Sequence, residues 1–129
     1  MPRNSPAVKA MTVAVLGSRI AYGAALLVSP EKVAGKRWLG PGAGRPAAQV
    51  PLRGLGAREV ALHGVALASF LRGSPIRPFL AASIAGDLAD IGATTFAREG
   101  LPEGSAPATA GVAGGSLLLT ALVAALSRE

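Results

Sequence analysis

Four long apolar stretches fill most of this 129-residue chain, and they constrain its fold more than any other feature. They are "AMTVAVLGSRIAYGAALLV" (Ala10 to Val28), "GLGAREVALHGVALASFL" (Gly54 to Leu71), "PFLAASIAGDLADIGATTFA" (Pro78 to Ala97) and "APATAGVAGGSLLLTALVAAL" (Ala106 to Leu126). Each is close to the about 20 residues that carry a helix across the hydrocarbon core of a bilayer. Four of them leave no room for a second domain. The expectation is an all-α chain: a four-helix transmembrane bundle, one domain over residues 1–129, with approximate spans 6–28, 52–71, 75–98 and 105–127. A short interfacial segment joins helices 1 and 2.

Composition agrees with that setting. Charged residues are 16% of the chain, below the roughly 25% of ordinary soluble domains. The apolar mass is Ala, Leu and Val with much Gly, which suits closely apposed helices. The absence of cysteine excludes disulfides, Cys-ligated zinc, iron–sulfur clusters and thiol catalysis. The net charge of +6 raises the question of a nucleic-acid partner. The basic residues form no single stripe, and aromatics are too few for a base-stacking platform, so no nucleic acid is expected. The charges read instead as loop residues beside anionic lipid headgroups. Arg3, Lys9, Arg72, Arg77 and Arg128 flank one side of a four-span arrangement, and Lys32, Lys36, Arg37, Arg45 and Arg98 the other. That balance assigns no orientation.

Helix punctuation marks the boundaries. Ser5-Pro6 and Ser74-Pro75 place a capping serine before a proline at the first helical position. Ser105 is expected to cap the fourth helix. Ser29-Pro30 ends the first, and Gly73 and Gly100 fall where the second and third should stop. Pro51 predicts that the second helix begins after it or bends there. Between the first two spans, Glu31 to Trp38 reads as an interfacial helix with Trp38 at the headgroup level, or as a plain loop around a buried Trp; "GPGAG" after it reads as a flexible turn. Arg53 reads as a headgroup anchor. The first stretch has a basic start like a secretory leader, but its length and the interrupting Arg19 favour a retained helix.

The informative charges lie at mid-helix. Arg19 is two residues from the centre of span 6–28, about 3 Å at 1.5 Å per residue. Arg58, Glu59 and His63 lie within three residues of the centre of span 52–71, and Asp87 and Asp90 at or one turn from the centre of span 75–98. Ser83, Asp87, Asp90 and Thr94 follow the 4-3-4 spacing of one helix face, and Glu59 and His63 stand i to i+4. A charge left against lipid at the bilayer centre costs at least about 2.5–3.5 kcal/mol. These six groups are therefore expected to face inward and pair. Two carboxylates at i to i+3 resist joint ionisation unless a cation lies between them, so the cluster should titrate as a unit, with one shared proton completing its balance. Glu59, His63, Asp87 and Asp90 lack specific metal-ligand spacing and face arginines; neither a metal nor a cofactor is expected. GxxxG spacing at Gly111 and Gly115, and the face of Ala82, Gly86 and Asp90, allow close helix approach within one subunit or between two.

The order "WLGPGAGRP" (Trp38 to Pro46), "RGLGARE" (Arg53 to Glu59) and "AGDLAD" (Ala85 to Asp90) resembles a family of small four-helix integral membrane proteins of high-GC actinobacteria, classed as a domain of unknown function. The resemblance runs from about Arg19 to the fourth helix, and Leu55 to Glu59 is its most specific part. Glu59 stands where that pattern often has aspartate, and His63 lies outside it. The chain more loosely resembles DoxX-type membrane proteins. Both resemblances imply architecture, with no established substrate or cofactor.

Three functional readings follow. The first is a small multi-pass protein of the cytoplasmic membrane, with lipid around it and a polar site that binds a small or lipophilic ligand or a membrane partner. The second is a proton-coupled small transporter acting as a homodimer. The third is a membrane enzyme acting on a lipid-like substrate. A purely structural ion-pair cluster is the plain alternative to all three.

Overall fold

The computed structural model describes residues 5–127, the Lys36 side chain excepted; Arg3 and Arg128 of the flanking-charge count lie outside the described residues. The chain is all-helical, with no strand among those residues. The long helices are α1 (Pro6–Val28), α3 (Pro46–Leu71), α4 (Arg77–Phe96) and α5 (Ser105–Leu126). The short α2 (Pro30–Ala34) continues through a π-helical turn (Gly35–Leu39) and a 3-10 turn (Gly40–Gly44) into α3, and a 3-10 turn (Arg98–Gly100) follows α4. Two helices, α1 and α5, are long and apolar enough to cross a membrane.

The start of α1 is where the serine and proline place it. Ser5 is extended and its hydroxyl accepts from the Val8 N–H at 3.2 Å, which satisfies one of the orphan donors of the first turn. Four other boundaries depart from expectation. Helix α3 begins at Pro46 and runs through Pro51, since Pro46 supplies the favourable first position and Pro51 removes one ladder bond without stopping the helix. Ser74 does not cap α4, which begins only at Arg77 with Ile76 at its cap position; the Ser74 N–H completes the end of α3. It donates to the Ser69 carbonyl at 2.8 Å while the Gly73 N–H donates to Phe70 at 3.0 Å. This is a Schellman closure, and Gly73 at φ +77° supplies its left-handed residue. Helix α4 then starts at Arg77, with Pro78 inside its first turn. Ser105 is the first residue of α5 and not its cap; Gly104 precedes it, and the Ser105 hydroxyl donates to the Trp38 carbonyl at 2.8 Å. Gly100 lies in the 3-10 turn, four residues past the end of α4.

The expected flexible turn Gly40–Gly44 is a regular 3-10 turn, with Gly40 and Ala43 buried. Trp38 is tied inward as well. Its indole N–H donates to the Thr94 hydroxyl at 2.8 Å, so the connector is stapled to α4 by the ring and to α5 by the carbonyl.

The long helices pack as two pairs. Helix α1 lies along α3, and α4 along α5, while contacts between α3 and α4 and between α1 and α5 are sparse. The α1/α3 approach depends on two glycines. A Cβ on Gly23 would stand 2.7 Å from the Gly56 carbonyl oxygen and from the Glu59 Cβ, and one on Gly56 would stand 2.6 Å from the Gly23 carbonyl oxygen. Only hydrogen fits on both surfaces. In each pair an arginine of one helix closes the C-terminal end of the other, that of α1 or of α5. Arg53 of α3 donates to the Leu27 carbonyl of α1, and Arg77 of α4 donates to the Ala124 carbonyl of α5 at 3.2 Å, where helix carbonyls lack partners.

Two apolar clusters occupy the interior. Val15, Leu16, Ala66, Phe70, Ile76, Leu80 and Val123 form one; Leu26, Ala34, Ala43 and Leu52 form the other. Arg19 of α1 and Glu59 and His63 of α3 lie between these clusters along their helices, and Ser83 and Asp87 follow Leu80 of the first cluster on α4. Along α1 and α3 the interior is thus layered, apolar above and below a polar band.

Candidate functional site

Three of the four polar residues on the α4 face each meet a partner from a different element. Ser83, Asp87 and Thr94 are buried there. Ser83 meets His63 of α3, Asp87 meets Arg19 of α1, and Thr94 meets Trp38 of the connector.

The Arg19–Asp87 contact is the centre of the band. One guanidinium arm donates to Asp87 Oδ1 at 2.7 Å, and Nη2 donates to Oδ2 of the same carboxylate. Two parallel donors match the planar carboxylate and fix its orientation. Arg19 is only 6% exposed and Asp87 5%. Nη2 also donates to the Thr120 hydroxyl of α5 at 2.9 Å, and Nη1 lies 3.9 Å from Glu59 Oε2 of α3. One side chain of α1 therefore touches all three of the other long helices. Thr120 can serve it because the hydroxyl turns its own proton to the Ser116 carbonyl.

His63 is buried and fully engaged. Its Nδ1 lies 2.8 Å from the Glu59 backbone carbonyl, which only accepts, so Nδ1 carries the proton. Nε2 lies 2.8 Å from the Ser83 hydroxyl, and the Glu59 carboxylate lies 3.2 Å from Nδ1. Carboxylate, imidazole and serine hydroxyl thus stand in the order of a hydrolytic relay. Two facts argue against that chemistry. Ser83 borders the α3/α4 cleft but is only 2% exposed, with its hydroxyl held by His63, so it presents little surface to a reacting carbonyl. The backbone N–H groups around it are held in the α4 ladder, so none is free to stabilise an oxyanion. The relay works as a hydrogen-bonded lock between α3 and α4.

Arg58 departs from the expected convergence. It is exposed and makes no ion pair or hydrogen bond with the described residues. The cause is angular: its neighbour Glu59 takes the inward direction of α3, and one residue turns the helix by about 100°. The band therefore sets one guanidinium against three carboxylates, rather than two against three. Asp90 is half-buried and makes no hydrogen bond or ion pair with the described residues. No group of three or more His, Asp or Glu among the described residues is placed to hold a metal ion.

Two clefts open where the helix pairs meet loosely. The first, about 580 Å³, lies between α1, the connector, α4 and α5. Pro107, Ala108, Gly111, Val112 and Ala113 form its apolar wall, Tyr22 and Asp90 supply polar groups, and Arg37 and Trp38 line the connector side. The second, about 530 Å³, lies between α3 and α4 and is lined by Arg58, Glu59, Ala82, Gly86, Ala89 and Asp90 among others. Asp90 borders both.

Thr120 and Tyr22 join the site without a sequence signal of the kind that marked the charges. Tyr22 stands three residues from Arg19, the spacing of one helix face, and that was its one legible mark. Thr120 is a single hydroxyl in the apolar run Leu117 to Val123. No family model, curated protein or solved structure matches the chain.

Proposed function

We propose that the chain is a multi-pass protein of the cytoplasmic membrane, a four-helix transmembrane bundle whose α1/α5 cleft binds a lipophilic molecule by a hydrogen-bond-donating or cationic head. The family likeness of Leu55–Glu59 and Ala85–Asp90 is part of the same proposal.

The surface supports the membrane setting. Val13, Val65, Leu88, Phe96, Val112, Leu118, Leu119 and Leu122 all face outward, from all four long helices. In water such a surface drives association; in lipid it is the expected exterior. A core helix of a soluble protein is mostly buried, yet only 17% of the most apolar window of α5 is. Helices α3 and α4 are less apolar because they carry the charges of the band, and the inward pairing of Asp87 and Glu59 with α1 is what lets them share the bilayer. Cleaving α1 as a leader would strip Asp87 of Arg19, so α1 belongs to the mature fold.

One observation carries the ligand reading: an unpaired carboxylate, Asp90, on the wall of a largely apolar cleft. Binding sites commonly combine an apolar lining with a few placed polar groups. The excess of carboxylates over guanidinium in the adjoining band favours a donor or a cation there. The test is titration of purified protein in detergent with dodecylamine, dodecanol and dodecanoate, read by the fluorescence of Trp38, the only tryptophan. Saturable binding in the order amine, alcohol, acid, lost in Asp90→Asn and in the cleft-filling Gly111→Leu, supports the proposal. Equal responses to the three, or no change in either variant, contradict it.

A second reading is favoured by the position of Asp90 on both clefts. A carboxylate open to two sides suits a proton-coupled carrier. In sealed vesicles, substrate-driven proton uptake that disappears in Asp90→Asn would separate it from simple binding.

A further inference from the structure

We propose that the α3/α4 cleft is a two-fold interface with a second copy of this chain, in which Arg58 of each protomer enters the other's cleft and meets the partner's Asp90 and Glu59. The inference rests on the membrane setting proposed above and adds to it the partner and the surface; it competes with the ligand reading for Asp90, since a carboxylate met by the partner's Arg58 is no longer the unpaired group offered to a ligand.

The interface is needed because the two halves of a charge balance are both present and unjoined. Arg58 stands at the midpoint of α3, exposed, without an ion pair among the described residues. In a bilayer that depth is hydrocarbon, where arginine is not left against acyl chains. The same cleft carries two carboxylates. Asp90 has no partner among the described residues, and Glu59 Oε2 is buried without a hydrogen bond among them, with His63 Nδ1 at 3.2 Å and Arg19 at 3.9 Å as its nearest basic neighbours. Arg58 lines this cleft and yet pairs with neither carboxylate of its own chain.

A two-fold dimer resolves both deficits with one surface, because an isologous contact presents the same patch on each side. The patch offers a donor and its acceptors together, so each copy supplies what the other lacks. An axis along the membrane normal keeps Arg58 near the depth of the partner's Asp90, since both residues lie close to the centres of their helices.

The floor of the cleft suits a helix neighbour. Ala82, Gly86 and Ala89 repeat at four and three residues, the spacing of one face. A Cβ added to Gly86 would meet nothing within 4 Å. Helix α3 touches α4 lightly, so this groove is not filled from within the chain. Small residues let helix backbones approach where no water-driven force acts between them.

Cysteine substitution tests the interface directly, since the chain has no cysteine of its own. Full-length Gly86→Cys is expressed in membranes and treated with a short bis-maleimide. Leu119→Cys on the outer face of α5 serves as the comparison. The expected result is a dimer band for Gly86→Cys at least ten times stronger than for Leu119→Cys. Adding Arg58→Ala should reduce it at least fivefold, and Arg58→Lys should restore most of it. Circular dichroism and Trp38 fluorescence of the Arg58 variants verify that the monomer fold is kept.

Equal cross-linking at both positions, or a dimer indifferent to Arg58→Ala, overturns the proposal; so does exclusive linkage of Gly86→Cys to a different protein or its occupancy by lipid alone. Resistance of the chain to alkaline extraction from membranes is scored in parallel. Extraction into the wash would defeat the membrane reading itself, whereas a retained chain without the dimer band defeats only the interface.

Discussion

Arg19 and Asp87, 68 positions apart in the chain, form a two-armed ion pair that joins the α1/α3 and α4/α5 helix pairs. The backbones of the two pairs come close at few other points, so this contact, the His63–Ser83 bond and the shared apolar cluster of Val15, Leu16, Phe70, Leu80 and Val123 set their mutual orientation. A buried pair is poor evidence of net stability, but breaking one side of it leaves an uncompensated charge.

That asymmetry makes the first prediction. Asp87→Leu alone should cost about 3–5 kcal/mol, as should Arg19→Met alone. The double variant Arg19→Met/Asp87→Leu should lose less than the sum of the two, because no buried charge of the pair is left alone. Unfolding in mixed detergent, followed by circular dichroism, measures all three. Strict additivity would mean that the two side chains do not act as a unit.

The glycine contact makes the second. Gly23→Ala and Gly56→Ala should each destabilise the fold by about 1–3 kcal/mol through overpacking of α1 on α3. The added methyl meets backbone and Cβ atoms at 2.6–2.7 Å, and those cannot turn aside. Gly17→Ala is the control: nothing lies within 4 Å of its new Cβ, and it should be neutral or stabilising by up to about 1 kcal/mol. Thermal unfolding of the three proteins in one detergent decides it.

A third concerns the cross-helix lock. Ser83→Ala removes the partner of a buried ring nitrogen and should cost about 1–3 kcal/mol. Ser83→Thr keeps the hydroxyl and should recover part of that loss. An NMR nitrogen shift for the His63 ring checks the assignment: Nδ1 protonated in the native protein, with Nε2 moving when Ser83 is changed.

How much of this was legible beforehand depended on the kind of signal. Arg19 and Asp87 stood out because an isolated charge in an apolar helix has one affordable direction, inward. The face of Ser83, Asp87 and Thr94 was legible from spacing for the same reason. Arg58 was not, since adjacency to Glu59 says only that the two diverge, and Glu59 took the inside. Helix starts misread where a local signal had a competing use. Ser74 looked like a cap, but it belongs to the Schellman closure that ends α3, and α4 starts three residues later at Arg77. Ser105 looked like a cap, but its hydroxyl found the Trp38 carbonyl across the fold. Pro51 looked like a boundary, while Pro46 offered a better one five residues earlier. The clefts were illegible altogether, because they arise from loose packing between helix pairs that no single helix pattern reports.

The central claim is that a polar band lies inside a bundle surrounded by lipid, and single cysteines in the cysteine-free chain test it most directly. Leu88 is 57% exposed and Leu119 52%, so both point away from the protein at mid-helix. A membrane-impermeant maleimide applied to opened membranes should label Gly42→Cys and Arg72→Cys at the helix connections, but not Leu88→Cys or Leu119→Cys until detergent unfolds the protein. In sealed vesicles Gly42→Cys and Arg72→Cys should react from opposite sides. Rapid labelling of Leu88→Cys and Leu119→Cys in the native state would place that surface in water and contradict the account.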